Sequence, residues 1–249
     1  MIEGLRQTYE KYTDEDQLVW KTLFERQMKQ LEKVADSAYL EGLDAIGFSA
    51  DHIPDFRLVN KRLVDLTGWQ ITVVPGIIEE KDFFGLLAKR QFPSSTWLRP
   101  VSQLDYLSEP DMFHDAFGHI PLLTNKTFCD FYESIGKIGV KYSDSEEVIS
   151  ALGRIYWFTV EFGLIQSEGD LKIYGAGILS SIGETKYSLS STPKRVPFDL
   201  ETIIKTDFDN TKIQDLYFVI DSFDQLLSAF KNYAESDTFQ QTKKTPPVL

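Results

Sequence analysis

The sequence predicts one domain, mainly α-helical, with a few short β-strands. Three observations carry that expectation. Apolar residues recur at helical spacing through most of the 249 residues, while β-branched runs are short and closed by proline or glycine. No internal repeat and no linker divides the chain. A composition of 42% hydrophobic and 13% aromatic residues is enough to bury a substantial core.

Taken in order, residues 13 to about 38 read as an amphipathic helix. Thr13 followed by Asp16 resembles a capping box, and Trp20, Phe24, Met28, Leu31 and Ala35 form one core-facing stripe. The punctuated stretch from Asp51 to Phe56 opens a second helix through Val59, Leu63 and Leu66. Residues 68–76 read as a strand and turn, followed by a helix through Phe83, Leu86 and Leu87. Residues 92–95 read as a loop and Trp97 to Arg99 as a short extended piece. Helical patterns return at about 126–140 and 145–166. Tyr174 to Gly183 is too glycine-rich for a helix, and Gly175 and Gly177 suggest a tight turn rather than a phosphate loop. Leu216 to Ile220 is strand-like, and the last helix runs through Phe223, Leu226, Leu227 and Phe230. The polar end from Asp237 to Leu249 reads as a frayed tail.

The formal net charge of −12 argues against nucleic acid and anionic membrane as partners, because phosphate binding needs a basic surface. No run is apolar and long enough for a transmembrane helix, and no signal peptide is recognisable at the start. Cys129 is the single cysteine, which excludes an internal disulfide and makes the cytoplasm the simplest location. Flanked by Phe128 and Phe131, it reads as a core residue.

The chemistry concentrates around His114 and His119, two of only three histidines. Glu161 lies in the apolar run from Ile155 to Ile165, where an ionised carboxylate costs several kcal/mol without a partner. Two imidazoles and one carboxylate make a 2-His-1-carboxylate set that leaves metal positions open for oxygen chemistry. Arg154 on the same helix is the alternative partner for Glu161. Residues five apart on an α-helix point about 140° away from each other, given about 100° per residue. Gly118 and Pro121 therefore predict that His114 sits on a helix and His119 at its unwinding end. Asp111 can cap that helix or orient a ligand imidazole. His52, between Asp51 and Ile53, reads as a loop residue.

These residues also carry a resemblance. The pattern Glu-Pro-Asp-x-x-His-x-x-x-Gly-His-x-Pro-Leu at 109–122 resembles the iron-binding signature of the pterin-dependent aromatic amino acid hydroxylases. Residues 155–163 resemble the segment carrying that family's glutamate ligand, and 174–184 the segment that follows it. The match covers about residues 13 to 230. The short chain and the stretch from Asp51 to Phe56 are most similar to the bacterial phenylalanine 4-hydroxylases of that family.

The resemblance implies a helical basket with non-haem Fe(II) in its cleft, held by His114, His119 and Glu161. It implies a catalytic iron and pterin domain over residues 1–236 and a tail over 237–249. A tetrahydropterin would stack on Phe83, with Gly76, Ile77 and Ile78 along its ring edge. Glu109 and Glu184 match catalytic acidic positions lining the cleft. Arg99 matches the clamp for the substrate carboxylate, Trp157 and Ser180 match the amino acid pocket, and Asp111 matches a position supporting the first ligand histidine. The reaction implied is hydroxylation of L-phenylalanine to L-tyrosine with O2, with tryptophan hydroxylation as the alternative within the family. A zinc hydrolase and a non-catalytic, metal-stabilised binding protein are the rivals outside it. Without a regulatory domain or a tetramerisation helix, a monomer is expected. Each residue also has a plainer reading: Phe83 and Trp157 as core, Arg99 in a surface pair, Glu109 and Glu184 as solvated turn residues.

Overall fold

The computed structural model describes residues 5–105, 109–236 and 239. Helix α1 (Asp14–Val34) starts with the expected reciprocal cap: the Asp16 N–H donates to the Thr13 hydroxyl, and the Thr13 N–H donates to the Asp16 carboxylate at 2.8 Å. Trp20, Phe24, Leu31 and Ala35 are buried, with Met28 packed at the edge. The helix does not reach Ala38. Asp36 instead caps a separate helix α2 (Ser37–Ile46) by accepting from the Ala38 N–H at 3.0 Å. A strong capping side chain there outweighs the continuing apolar period.

Asp55 caps α3 (Phe56–Thr67), and Gly68 ends it in the left-handed conformation at φ +77°. Strand β1 (Gln70–Val73) and helix α4 (Glu80–Leu87) follow as expected. The stretch expected to be a loop is strand β2 (Gln91–Ser94), paired parallel with β1 from Gln70↔Gln91 to Val73↔Ser94. Each strand of a two-stranded sheet has a free edge, so Pro93 is tolerated although it has no N–H. Residues 97–99 are extended but join no strand; the Trp97 carbonyl accepts from the Met112 N–H at 2.9 Å.

Helix α5 (Lys126–Lys141) is capped by Asn125 and α6 (Glu146–Tyr156) by Ser145. The helical pattern expected to continue to 166 stops at Glu161. Beyond it the chain turns into β3 (Leu164–Ser167) and the antiparallel β4 (Asp170–Ile173). With β5 (Lys194–Pro197) and β6 (Leu216–Ile220) these form a four-stranded sheet in the order β4-β3-β6-β5. Sheet pairing of Leu164 with Val219 and Ile165 with Ile220 explains why that apolar run is strand rather than helix. The glycine-rich segment forms two short helices, α7 (Ala176–Leu179) and α8 (Ile182–Ser188). A single turn, α9 (Leu200–Ile203), and α10 (Phe223–Glu235) complete the fold.

The core runs as one aromatic seam through the molecule. Phe113 and Phe117 stack at 4.7 Å, with Trp20 edge-on to the first and Phe24 to the second. Phe128, Tyr132, Tyr174 and Phe223 continue it on the far side. Cys129 is buried as expected, its thiol donating to the Leu123 carbonyl at 3.0 Å, and burial pushes its pKa up to about 12. His52 is exposed and bridges to Ser49. The expected tail lies largely outside the described residues, but Phe239 is buried against Tyr142 and Tyr233, so core packing extends past 236. Among the described residues, no helix is long and apolar enough to cross a membrane.

Candidate active site and metal centre

The two histidines share one helix after all. Residues Phe113–His119 form a π-helix, whose i→i+5 hydrogen bonds widen each turn. A wider turn brings residues five apart onto one face, which a 3.6-residue turn does not. His119 is the last residue of this helix, as expected, but the helix widens there rather than unwinding. Gly118 is needed for approach rather than for breaking the helix, since a Cβ there would lie 2.9 Å from the Ala176 carbonyl oxygen. Pro121 stands in the first turn of the 3₁₀-helix that follows, Ile120–Thr124.

Glu161 ends a second π-helical turn, Trp157–Glu161, appended to α6. The Thr159 hydroxyl bonds back to the Ile155 carbonyl at 2.5 Å, a contact that bends helices. Both metal-facing segments thus depart from α geometry where their ligands project. Helix α7 is wedged between them. A Cβ on Gly175 would meet the Gly163 nitrogen at 2.4 Å and the Glu161 carbonyl oxygen at 2.5 Å. Gly175 and Gly177 have no positive φ, so close approach, not the expected tight turn, explains them.

The three side chains converge. His114 Nε2 and His119 Nε2 lie 3.2 Å apart, and His119 Nε2 is 3.1 Å from Glu161 Oε1. His114 Nε2 is 3.7 Å from Glu161 Oε2. Ligand atoms about 2.1 Å from one ion stand roughly 3.0–3.4 Å apart when their bonds make 90–110° angles; two of the three separations fall in that range and the third, at 3.7 Å, is slightly longer. These residues form a group that could hold a metal ion. Arg154, the alternative partner of Glu161, pairs instead with Asp207 at 2.7 Å.

Protonation favours a cation as well. Burial holds the His114 pKa down at about 4, with the Glu161 charge opposing. Burial pushes Glu161 up, but His119, His114 and the Tyr156 hydroxyl outweigh it and leave its pKa below the ordinary carboxylate value. At neutral pH His114 therefore offers a lone pair and Glu161 a charge. Behind the triangle, Ser180 Oγ lies 2.9 Å from His114 Nδ1 and donates its own proton to the Ala176 carbonyl. It must accept from Nδ1–H, which leaves Nε2 bare. Ser180, expected in the amino acid pocket, is thus bonded to a ligand histidine. The Tyr132 hydroxyl occupies the same place behind His119, 3.0 Å from Nδ1.

Asp111 caps as expected, accepting from the His114 N–H at 3.2 Å. Its carboxylate touches neither imidazole ring. It binds Arg99 bidentately instead, at 2.8 Å to both Nε and Nη2, and both residues are buried. The surface-pair reading of Arg99 is excluded. Glu184 is buried too, against the solvated-turn reading; it accepts from Tyr217 at 2.6 Å and from the Gln214 N–H at 3.3 Å. Burial raises its pKa, against those two hydrogen bonds. Trp157 is half-buried, stacked on Phe208 at 4.4 Å, and donates to Gln214 Oε1 at 2.9 Å.

The residues that the resemblance assigns to the pterin lie along a rim. Phe83 is half-buried and meets Tyr156 edge-on at 5.2 Å; Tyr156 in turn stacks near His119 at 6.3 Å. Gly76 adopts φ +153°, Ile77 is 77% exposed and Ile78 is half-buried. Glu109 is exposed, two residues before Asp111, and no contact brings it to the triangle. Sequence reasoning missed four neighbours: Tyr132, Tyr156, Phe92, which lies 4.7 Å from the His119 ring, and Asp115. The first three look like ordinary core aromatics. Asp115 accepts from the Ser95 N–H at 2.7 Å, and burial raises its pKa to about 7. Its place beside His114 in the motif was the available signal.

Comparison with known proteins agrees with this geometry. The family model of the biopterin-dependent aromatic amino acid hydroxylases matches residues 4–243. The phenylalanine-4-hydroxylase of Chromobacterium violaceum is 49% identical over 226 residues, covering 90% of this chain and 76% of that one. A crystal structure of the phenylalanine hydroxylase from that organism with bound iron(III) and 7,8-dihydrobiopterin superposes with a TM-score of 0.89 at 46% identity, covering 97% of this chain and 87% of that one. Another, with iron and phenylalanine bound, gives 0.89 at 44% identity over 98% and 88% of the two chains. A convergent 2-His-1-carboxylate triangle, the wedge that builds it and a family match along nearly the whole chain lead to one conclusion: this protein belongs to the biopterin-dependent aromatic amino acid hydroxylases.

Proposed function

We infer that this protein is a phenylalanine 4-monooxygenase, converting L-phenylalanine to L-tyrosine with Fe(II), a tetrahydropterin and O2. The observation that carries the site assignment is the triangle of His114, His119 and Glu161 with separations of 3.1–3.7 Å. These three hold the metal, and their number leaves positions open on it. Bound iron and reduced pterin together supply the activation of dioxygen.

The chain supplies orientation. Asp111 occupies the Nε and Nη2 edge of Arg99, so the Nη1 side of the guanidinium keeps donors for a second planar partner, the substrate carboxylate. Trp157 would wall the amino acid pocket, and Phe83 would stack the pterin with Gly76, Ile77 and Ile78 at its edge. Glu184 and Glu109 line the cleft between. Ser180 acts through His114 rather than on the substrate. The catalytic unit reaches at least to Phe239, whose ring packs in the core, and the protein works as a cytoplasmic monomer.

The test is anaerobic reconstitution with Fe(II), followed by turnover on phenylalanine, tyrosine and tryptophan with a tetrahydropterin. The highest kcat/KM is expected on phenylalanine. Equal or better turnover of tryptophan overturns the substrate assignment, and no pterin-dependent hydroxylation overturns the function. Light scattering checks the monomer.

A further inference from the structure

His119 is backed, behind its metal-facing edge, by a buried tyrosine hydroxyl. Tyr132, on α5, is fully buried, with its hydroxyl 3.0 Å from His119 Nδ1. Trp69 and Phe128 meet its ring edge-on at 5.6 and 5.0 Å, which fixes where the hydroxyl points. Tyr156 lies beside it, the two tyrosine rings 6.0 Å apart and crossing at 85°.

A proton count gives this arrangement a direction. A hydroxyl donates once, and a neutral imidazole carries one ring proton. For His119 to present a bare Nε2, that proton must sit on Nδ1, where the Tyr132 oxygen is the acceptor. Tyr132 keeps its own hydroxyl proton, so the bond between His119 and Tyr132 has one donor and one acceptor. The other tautomer would aim an N–H from Nε2 into the triangle.

We propose that Tyr132 is a positioning residue for the iron: its buried hydroxyl accepts the His119 Nδ1 proton and so fixes the tautomer and ring plane that present Nε2 to the metal. The proposal rests on His119 being an iron ligand, as inferred above. Tyr132 does for His119 what Ser180 does for His114, from a different helix and with a different residue type.

The experiment compares Fe(II) affinity of wild type, Tyr132→Phe and Tyr174→Phe by anaerobic competition with a chromophoric chelator. Tyr174 is the control, a buried tyrosine whose hydroxyl has no hydrogen-bond partner. Tyr132→Phe is expected to bind iron about 10–100-fold more weakly, the usual cost of losing a contact behind a ligand, while Tyr174→Phe matches wild type. Unchanged affinity in Tyr132→Phe overturns the proposal, and so does equal weakening in both variants, which would report packing alone. A wild type that binds no Fe(II) would instead bring down the ligand assignment itself. Should Tyr132→Phe fail to fold, proton NMR of the Zn(II)-loaded wild type decides. A downfield, slowly exchanging His119 Nδ1 proton is expected, and a rapidly exchanging one overturns the proposal.

Discussion

The floor of the cleft and its rim are built on different principles. On the floor, each histidine has a hydrogen-bonding hydroxyl beside it, Ser180 for His114 and Tyr132 for His119, and Glu161 lies against both imidazoles. Their backbone approaches are so close that glycines are required at 118, 163 and 175. On the rim, Ile77 and Glu109 are exposed, Phe83 is only half-buried, and a Cβ on Gly76 would meet nothing within 4 Å. A metal site on the floor would need a fixed geometry, whereas a rim that binds the pterin, as proposed above, would have to admit and release it on each turnover and so be loosely packed. Stability and catalytic geometry should therefore respond to floor substitutions, and cofactor KM to rim substitutions.

Changes in the floor should have the largest effects. Glu161→Gln removes a charged ligand, so Fe(II) affinity should fall by well over the ~100-fold that a supporting contact is worth, with hydroxylation lost alongside. Iron titration with parallel turnover checks it. Next comes Gly175→Ala, which places a methyl against the Glu161 carbonyl; overpacking of this kind costs about 1–3 kcal/mol, and iron occupancy should fall with it. Urea unfolding and metal content report the two consequences separately.

Phe83→Ala tests the rim. Losing a stacking ring worth about 0.5–1.5 kcal/mol should raise the pterin KM by roughly 2–10-fold while leaving Fe(II) affinity unchanged. A parallel loss of iron would break the distinction between floor and rim.

The metal-free protein should show opposing pH dependences within the floor. His114 has a folded pKa of about 4 against an ordinary 6.5, so its contribution is present above pH 6.5 and is lost as pH falls towards 4. Asp115 has a folded pKa of about 7 against 3.8, so its contribution is present below pH 3.8 and is lost as pH rises through 7. Asp115→Asn should therefore gain on wild type in thermal unfolding above pH 7 and lose that advantage near pH 4. The smallest effect is expected from Gly153→Ala in the middle of α6, where a Cβ meets nothing within 4 Å. Helix propensity alone should stabilise it by about 0.5–1 kcal/mol without altering iron binding.

Much of this was legible in the sequence, and the failures share a cause. The Thr13 cap, helices α3 and α4, β1, β6 and α10 follow from local chemistry and appear as expected, although Leu66 on the α3 stripe is exposed. The candidate triad was suggested by the histidine pair together with a carboxylate in an apolar run that needs a partner, with Arg154 left open as that partner. What was not readable depends on distant contacts. Strand β2 exists through its pairing with β1, and β3 through its pairing with β6. The π-helical turns break the 3.6-residue period used to assign faces, so the five-residue histidine spacing looked awkward when it was the signature of a wider turn. Tyr132 and Asp111 reveal their partners only in three dimensions, since Tyr132 shares the core stripe of α5 and Asp111 reads equally as cap or support.

The wedge of α7 between the two ligand segments has a kinetic consequence. Its backbone abuts Gly118 on one side and Glu161 on the other, so an excursion that lifts α7 loosens the histidine pair and the glutamate together. Iron should leave through that shared opening rather than by stepwise detachment of ligands. Its escape rate would then be set by the protein's own local unfolding and stay independent of chelator concentration once the chelator is in excess.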